Sequence, residues 1–337
     1  MNVFPEELRG FRGEYINSYL CETETIFFNY LDKYVDNSFI FSLTFWNHES
    51  NQVLYDIDFS SYDYIFMLDF LDPPDYLYKW DEVYNIFKDV SDRCYVISCP
   101  YKNPHFKTLP FDHFFHFYTD FSTNKVFPRH HKKKFLSYNG RPHTHRVELL
   151  KYLHEKDLYK DGYVSGRLDE DKYYSEDFKS LFPMILKNDV SIKMQNQLNN
   201  QLKTTPYNYF APVNIVTETS INAKHIFCTE KLCKSIVSKQ LTMLIGSPLT
   251  YKYLTSTYGL YNYGFDFEPR IADLEFKSKI KYYCDFLKET SLNDIVSIYR
   301  EKEDLLEHNK NKFLKEFKQI SYNLFLTSLK KHNIIHS

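Results

Sequence analysis

Short apolar runs separated by polar turns recur through the first third of the chain. Four of them have the length of buried strands, at residues 39–45, 62–68, 94–98 and 113–118. Between the second and the third lies an amphipathic stretch, residues 76–90, whose apolar side chains recur at helical spacing. Strands that alternate with helices in this way predict a parallel sheet covered by helices.

The order of strand, tight turn and helix returns in the second half of the chain. The strands predicted here are residues 135–138, 162–166 and 213–216. Asn139 and Gly140 supply the turn after the first of them, and apolar positions at helical spacing follow from Val147 onwards. Residues 276–335 are helical by periodicity. The pattern therefore predicts an α/β protein with C-terminal helices.

Composition and charge narrow the class of protein. The 337 residues are enough for one large or two ordinary domains, and 43% of them are hydrophobic, which suffices for a sizeable core. The formal net charge of −2 provides no global field that would attract nucleic acid or an acidic membrane. The first residues lack the basic and apolar regions of a signal peptide, and the apolar runs are far shorter than a membrane span. We therefore expect a cytoplasmic protein without a membrane span.

Cysteine and aspartate spacings bear on whether the chain holds a metal ion. The six cysteines include no Cys-x-x-Cys pair, and no cluster of histidines completes a zinc pattern. Asp56 and Asp58 have the Asp-x-Asp spacing that metal-dependent sugar transferases use for a divalent cation. This pair precedes a predicted strand instead of following one, so we interpret it as a polar turn and expect no metal site.

The segment 213–237 carries the most specific chemical signal. Its apolar run is followed by a polar turn and then by Thr229, a hydroxyl residue suited to cap the helix that begins with Glu230 and Lys231. A lysine in the first turn has the wrong sign for the helix dipole, and this cost is understandable if an anion such as a diphosphate binds there. The alternative is an ordinary strand, turn and helix whose charged side chains are solvated.

A second strand end gathers further polar and basic residues. Asn139 and Arg141 follow the predicted strand 135–138, and His145 and Arg146 open the next helix. The forked guanidinium of arginine binds two oxygens of a diphosphate at once. For Arg146, an ion pair on the helix surface is an equally good interpretation. Ser165 lies near the end of the following predicted strand.

These motifs, taken in order, resemble a known family. The order is Asn-Ile-Val-Thr-Glu-Thr, then Thr-Glu-Lys, a buried run ending in Gly246 and a Gly-aromatic segment with acidic residues at 264–268. It is similar to the donor-binding half of fucosyltransferase-like glycosyltransferases of phages and bacteria, over roughly residues 134–290. The segment from Asn139 to Arg146 also resembles the family. Gly140 stands where relatives often have a second arginine, and Cys233 where an aromatic residue is frequent.

The resemblance implies a fold and a reaction. The fold is two Rossmann-like domains facing a cleft (GT-B), with an acceptor domain at 1–130, a donor domain at 131–300 and C-terminal helices at 301–337 that pack back on the first domain. The reaction is transfer of a sugar, with inversion, from a nucleotide-diphosphate donor to an acceptor hydroxyl. No cofactor and no metal is required. A phage-encoded enzyme would work in the host cytoplasm.

The resemblance also suggests roles for individual residues. Lys231 and Arg141, with the amides near Thr229, would neutralise the departing diphosphate, and Glu230 would accept hydrogen bonds from the ribose. The expected donor-binding residues are Asn139, Arg141, His145, Arg146, Ser165, Thr229, Glu230, Lys231, Asp266 and Glu268. The expected catalytic carboxylates are Glu218, near the transferred sugar, and Asp69 or Asp72, which follow a predicted strand and could deprotonate the acceptor. For the last two, capping of the loop before Pro73 is the alternative.

Two questions stay open at the level of sequence. The acceptor is either a glycan or a hydroxymethylated base in phage DNA, for which the basic run at residues 129–134 could contact a phosphate. The alternative to an enzyme is a non-catalytic protein of the same fold that binds a nucleotide sugar or nucleic acid.

Overall fold

In the part of the chain that the structure describes, two parallel β-sheets, each of four strands, form the centre of the fold. The computed structural model describes residues 31, 33–42, 54, 57–69, 80–112, 115–116, 118–119, 126–140, 142–168, 174–181, 204–221, 225–261 and 264–335. The first sheet has the spatial order β1 (Ser38–Ser42), β2 (Tyr64–Asp69), β3 (Cys94–Ser98) and β4 (Lys107–Pro110). The second has the spatial order β6 (Gly162–Gly166), β5 (Phe135–Asn139), β7 (Val213–Thr217) and β8 (Leu241–Ile245). The predicted α/β class with parallel sheets is confirmed.

Helices connect the strands and make up the C-terminal part of the chain. In chain order they are α1 (Trp80–Phe87), α2 (Thr144–Glu155), α3 (Glu176–Lys179), α4 (Tyr207–Phe210), α5 (Glu230–Val237), α6 (Leu249–Tyr258), α7 (Glu268–Ile271), α8 (Phe276–Glu289), α9 (Leu292–Glu301), α10 (Glu303–Lys312) and α11 (Lys318–Lys331). A π-helical segment, Phe313–Phe317, joins the last two. Among the described residues, none of these helices combines the length and the apolar character needed to cross a bilayer.

The two faces of the first sheet bury different partners. Alternate side chains of a strand point to opposite faces, so Phe39 and Met67 pack with α1, whereas Ile40 and Leu68 pack on the other face. On that second face they meet Phe325 and Leu329 of α11 and the residues just after it. The C-terminal helix is thus part of the core of the first sheet.

The second sheet is covered on both sides as well. One face packs against α2 and α8, and the other against α5, α6 and the π-helical segment. Phe115 and Tyr118, which follow the first sheet in sequence, are fully buried among the apolar residues of α5, α6 and the π-helical segment. Apolar contacts therefore join the segment after the first sheet to helices of the second half.

One predicted strand is wrong. Residues 115–116 and 118–119 are helical, and the fourth strand of the first sheet is β4 instead. A short apolar run cannot be assigned to helix or strand by periodicity alone, and here Phe115 and Tyr118 lie three residues apart on one helical face. The strand β4 escaped prediction because only Leu109 in it is buried, as suits an edge strand that ends in Pro110.

Candidate active site

The strand order of the second sheet places a topological switch point between β5 and β7, and the region outside the carboxyl ends of these two strands is called the crevice below. From β5 the chain moves outwards to β6 on one side, and from β7 it moves outwards to β8 on the other. Open parallel sheets bind ligands outside the carboxyl ends of their strands at such a switch point. The backbone pairing of β5 with β7 covers only Phe135 with Val213 and Leu136 with Asn214, near the amino ends. Beyond this pairing, side-chain hydrogen bonds connect the two strands towards the edge where a ligand would bind.

Polar side chains bridge the carboxyl ends of β5 and β7. The hydroxyl of Thr217 lies 3.0 Å from Oδ1 of Asn139 and 3.3 Å from the carbonyl oxygen of Tyr138. The amide nitrogen of Asn139 donates to Oγ of Ser137 at 2.9 Å and to the carbonyl oxygen of Ser165 at 3.2 Å. Asn139 and Ser165 are both buried. Their placement fixes the edge of the sheet beneath the crevice.

The helix α5 begins at this edge, and its predicted N-cap, Thr229, is confirmed. The hydroxyl oxygen of Thr229 accepts from the backbone nitrogen of Lys231 at 3.4 Å. Glu218, the residue after β7, is fully buried and accepts from the backbone nitrogen of Thr229 at 2.9 Å and from its hydroxyl at 2.5 Å. Burial raises the pKa of Glu218, although Lys231 and Thr229 act in the opposite direction. Glu218 thus ties the start of α5 to the end of β7.

Glu230 and Lys231 form an ion pair in the first turn of α5. The Lys231 ammonium lies 3.1 Å from Oε1 of Glu230 and 3.4 Å from Oγ1 of Thr229. Burial alone would raise the pKa of Glu230, but Lys231 and Lys234 outweigh it and hold that pKa below its ordinary value. The side chain of Lys231 remains 17% exposed. A cation therefore stands at a helix N-terminus and is still accessible from outside.

A second helix begins at the same place. At the start of α2, Nε2 of His145 lies 2.7 Å from the carbonyl oxygen of Glu218, and Arg146 donates from Nη2 to the carbonyl oxygen of Thr217 at 3.1 Å. A carbonyl oxygen can only accept, so Nε2 of His145 carries a proton. Burial and the neighbouring Arg146 lower the pKa of His145 to about 3, which keeps the imidazole neutral. The N-termini of α2 and α5 are thus joined through Glu218.

The expected ligand-binding residues fall into three groups. Asn139, His145, Arg146, Ser165, Glu218, Thr229, Glu230 and Lys231 lie at or beside the crevice. Asp266 and Glu268 have partners elsewhere: Asp266 pairs with Lys302 at 2.6 Å, and the buried Glu268 accepts from the Tyr283 hydroxyl at 2.9 Å. Burial raises the pKa of Glu268 to about 8. Arg141 and Asp72, like Asp56, lie outside the described residues.

The carboxyl edge of the first sheet contributes Asp69. It is the last residue of β2, and its side chain is buried. Burial raises the pKa of Cys99, just after β3, and the charges of Asp112, Asp69 and Glu218 raise it further. Cys99 therefore lies within electrostatic reach of carboxylates from both sheets.

Backbone contacts also connect the two sheets at this edge. Tyr101 forms an isolated antiparallel bridge with His225, and the nitrogen of Ile226 donates to the carbonyl oxygen of Pro100 at 3.3 Å. The residues before α5 thus contact the residues after β3. The edge that carries Asp69 and the segment that leads to Thr229 are consequently held together.

The basic run at 129–134 is largely occupied in packing. The Arg129 guanidinium lies over the rings of Tyr209 and Tyr299, at 5.4 and 5.2 Å from their centres, and donates to the carbonyl oxygen of Ser238 at 2.7 Å. Lys134 donates to the carbonyl oxygen of Leu287 and pairs with Asp161 at 3.0 Å. Two of its cations therefore anchor the run to the second half of the chain.

Lys234 and Tyr138 also belong to this region, and the sequence reasoning missed them. Lys234 is buried on α5, and its ammonium lies 5.9 Å from the centre of the Tyr138 ring. A signal for Lys234 was present, because residues four apart share a face of a helix and Lys234 follows Glu230 by four. Tyr138 looked like an ordinary strand residue. Its role emerges only from the neighbours that the fold supplies.

No group of three or more His, Cys, Asp or Glu side chains suited to hold a metal ion occurs among the residues that the structure describes. The site that the structure does show is made of helix N-termini, hydroxyls and paired charges. Such groups bind and orient an anion through hydrogen bonds and charge.

Comparison with known proteins yields matches among solved structures. No protein-family model and no curated protein sequence matches the chain. It is similar to a crystal structure of an α1,3-fucosyltransferase with GDP-fucose, with a TM-score of 0.39 and 13% identity over 88% of this chain and 90% of that one. Two further α1,3-fucosyltransferase structures, one of them with GDP, give TM-scores of 0.37 at 13–14% identity, covering 87–89% of this chain and 90–92% of theirs.

Proposed function

We propose that the protein is a glycosyltransferase that moves a sugar from a nucleotide-diphosphate donor to an acceptor hydroxyl. The observation that carries this proposal is the meeting of the N-termini of α2 and α5 at the switch point of the second sheet. The dipoles of the two helices favour an anion there. Lys231 adds a full positive charge, and a diphosphate is the anion that a sugar donor would bring.

The chemistry asked of this site is stabilisation of a leaving group. As the bond between the anomeric carbon and the phosphate oxygen breaks, negative charge grows on the nucleoside diphosphate, and prearranged donors lower the barrier. Lys231 and the first amides of α5 serve this purpose. Arg141 follows Asn139 by two residues, between β5 and α2, and its guanidinium is proposed as the second cation. No metal is required for this role.

For Glu218 we propose a positioning role in place of a catalytic one. The side chain is fully buried and both of its carboxylate oxygens are bonded to Thr229. We propose that it positions the first turn of α5 and orients His145 through its carbonyl oxygen. Glu230, which stays ionised, is proposed to accept hydrogen bonds from the ribose of the donor. Asp266 pairs with Lys302 and Glu268 accepts from Tyr283, so a contact of either carboxylate with the donor sugar would require it to exchange partners.

The first sheet is proposed to bind the acceptor, as the domain at 1–130 opposite a donor domain at 131–300. A carboxylate there would take the proton from the acceptor hydroxyl as its oxygen attacks the anomeric carbon. Asp69 at the end of β2 is our candidate, with Asp72 as the alternative three residues later. Attack from the face opposite the diphosphate would invert the anomeric centre, in keeping with the fucosyltransferase resemblance of the sequence motifs. We propose a glycan as acceptor, because Arg129 and Lys134 are occupied in packing.

Titration with nucleoside diphosphates and a transfer assay test this function. Wild-type protein is titrated calorimetrically with GDP, UDP, ADP and CDP, and then incubated with the matching nucleotide sugars and a panel of glycans and hydroxymethylated DNA. We expect one nucleotide to bind and its sugar to be transferred. Lys231→Ala should lower turnover about 100-fold, since it removes one stabilising charge. Lys252→Ala, on the exposed side of α6, is the control.

The possible outcomes separate the alternatives. Transfer to DNA with steep salt dependence would replace the glycan by DNA as acceptor. Binding of a nucleotide sugar without transfer or hydrolysis would favour the non-catalytic protein. Undiminished turnover in Lys231→Ala would contradict the assignment of the diphosphate to the start of α5.

A further inference from the structure

Lys234 is a buried lysine one helical turn after Glu230. Only 8% of it is exposed, although lysine is among the residues least often buried without a charged partner. Residues four apart on a helix lie on the same face, and the order Glu before Lys is the favourable one. The charge of Lys234 acts on the carboxylate of Glu230. The fold therefore places a second cation behind the pair of Glu230 and Lys231.

The aromatic ring beside Lys234 is held in place by its own hydrogen bonds. The ammonium of Lys234 lies 5.9 Å from the centre of the Tyr138 ring, at the carboxyl end of β5. The Tyr138 hydroxyl is 2.6 Å from Oγ1 of Thr205, whose backbone nitrogen donates to Oδ1 of Asn208 at 2.9 Å. A ring face so fixed attracts a cation. Lys234 is thus directed to one position next to the crevice.

Lys231 has two competing tasks in the proposed function. Without a ligand its ammonium pairs with Glu230 at 3.1 Å. When a diphosphate arrives, Lys231 must turn some of its three donors towards the phosphate oxygens. If no other cation stood by, Glu230 would be left as an uncompensated and largely buried carboxylate, and such a charge opposes binding strongly.

We infer that Lys234 is a positioning residue whose charge compensates Glu230 when Lys231 turns to the diphosphate of the donor. It acts through Glu230, not by contact with the phosphates. The inference rests on the proposed function, since it assumes that a nucleoside diphosphate binds at the start of α5. Lys234 would thus allow Lys231 to pair with Glu230 in the empty site and with the diphosphate in the occupied site.

The groups around Glu230 define what else could titrate with it. Lys231 and Lys234 lower its pKa from the same helix. The ionisable groups that interact with Glu230 from neighbouring elements or from α5 itself include Glu218, Tyr118 and Cys233. Burial raises the pKa of each of these three groups, whereas the charge of Lys234 lowers the pKa of Glu230.

A double-mutant cycle with calorimetric titration of GDP and UDP tests the inference. The proteins are the wild type, Lys234→Met, Glu230→Gln and the double variant, at pH 7.5. We expect Lys234→Met to weaken binding of the preferred nucleotide roughly tenfold, but less than about twofold in the Glu230→Gln background. Lys234→Arg keeps the charge and should bind within about threefold of the wild type. Lys252→Met is the control for loss of an exposed lysine.

The pH dependence of nucleotide affinity distinguishes this role of Lys234 from a purely structural one. Glu230 is proposed to accept hydrogen bonds from the ribose as an ionised carboxylate, so its protonation should weaken nucleotide binding at low pH. Lys234→Met should shift this fall in affinity to higher pH, since one of the charges that lower the pKa of Glu230 is gone. If Lys234→Met does not fold, as thermal melting would show, Lys234→Gln takes its place in the cycle. Equal weakening by Lys234→Met in both backgrounds would overturn the inference, and so would unchanged binding. Wild-type protein that binds neither nucleotide would instead overturn the proposed function on which it rests.

Discussion

A buried carboxyl at the junction of the two sheets should make stability depend on pH. Asp112 follows β4, and its Oδ2 accepts from the hydroxyl of Tyr253, at 2.5 Å, and from that of Tyr258, both on α6. Its backbone nitrogen donates to Oγ of Ser321 on α11 at 3.1 Å. The two phenols favour the ionised form, but burial is the larger effect and raises the pKa of Asp112 to about 6. One residue thus links the first sheet to helices from later in the chain.

The raised pKa of Asp112 determines the sign and the size of its effect on the free energy of unfolding. Between the ordinary pKa of 3.8 and about 6, the folded protein holds a proton that the unfolded chain has lost. The contribution of Asp112 to stability is therefore fully present below pH 4 and is lost as the pH rises through 6. The rise of about 2 units in the pKa of Asp112 corresponds to about 3 kcal/mol of unfolding free energy over the full range, at about 1.4 kcal/mol for each unit.

Replacement of Asp112 by asparagine tests this reasoning. The amide keeps an oxygen that can accept from the phenols but cannot ionise. The free energy of unfolding is measured by urea denaturation between pH 4 and pH 8 for the wild type, Asp112→Asn and the exposed control Asp89→Asn. Relative to wild type, Asp112→Asn should gain about 2 kcal/mol of stability across this range, and Asp89→Asn should gain little. A difference between Asp112→Asn and wild type that does not change with pH would refute the assignment.

Three further substitutions probe the site and its support. Thr229→Val removes the N-cap and the hydroxyl bonded to Glu218, so it should cost about 2 kcal/mol in urea denaturation, whereas Thr229→Ser should cost less than about 1. Arg129→Met should lower stability by about 1–2 kcal/mol in the same assay, with Arg129→Lys between it and wild type. Asp69→Asn should reduce the turnover number about 100-fold while nucleotide affinity, measured by calorimetry, stays unchanged.

The sequence predicts the strands and helix starts best where local signals agree. The run at 135–138, the turn at Asn139 and the buried face after it specify β5 and α2 without help from distant residues. The start of α5 at Thr229 is also specified by neighbouring residues, because a capping hydroxyl before a charged turn and an apolar stripe has few other interpretations. The prediction failed at residues 113–118, where the aromatic run fits helix and strand equally well and only the pocket among helices of the second half decides.

Partners that lie far apart in the sequence could not be predicted in this way. The local pattern places Glu218 in a polar turn, yet the fold buries it completely and turns its oxygens towards Thr229, eleven residues later. Asp266 and Glu268 both follow Gly264 and look alike in sequence, but one is paired at the surface with Lys302 and the other is enclosed beside Tyr283. Burial decides the chemistry of a carboxylate, and burial depends on the whole fold.

The site gains its rigidity from a carboxylate that does not face the ligand. Glu218 uses its side chain to hold the start of α5 and its carbonyl oxygen to hold His145 at the start of α2. Each helix contributes the positive end of its dipole, but two such ends strengthen an anion site only if their separation is fixed. Displacement of either helix would break a buried hydrogen bond and leave a polar group unpaired, which costs more than the bond contributes when formed. The fold therefore determines the spacing of the two helix N-termini, and the side chain of Lys231 between them still reaches solvent.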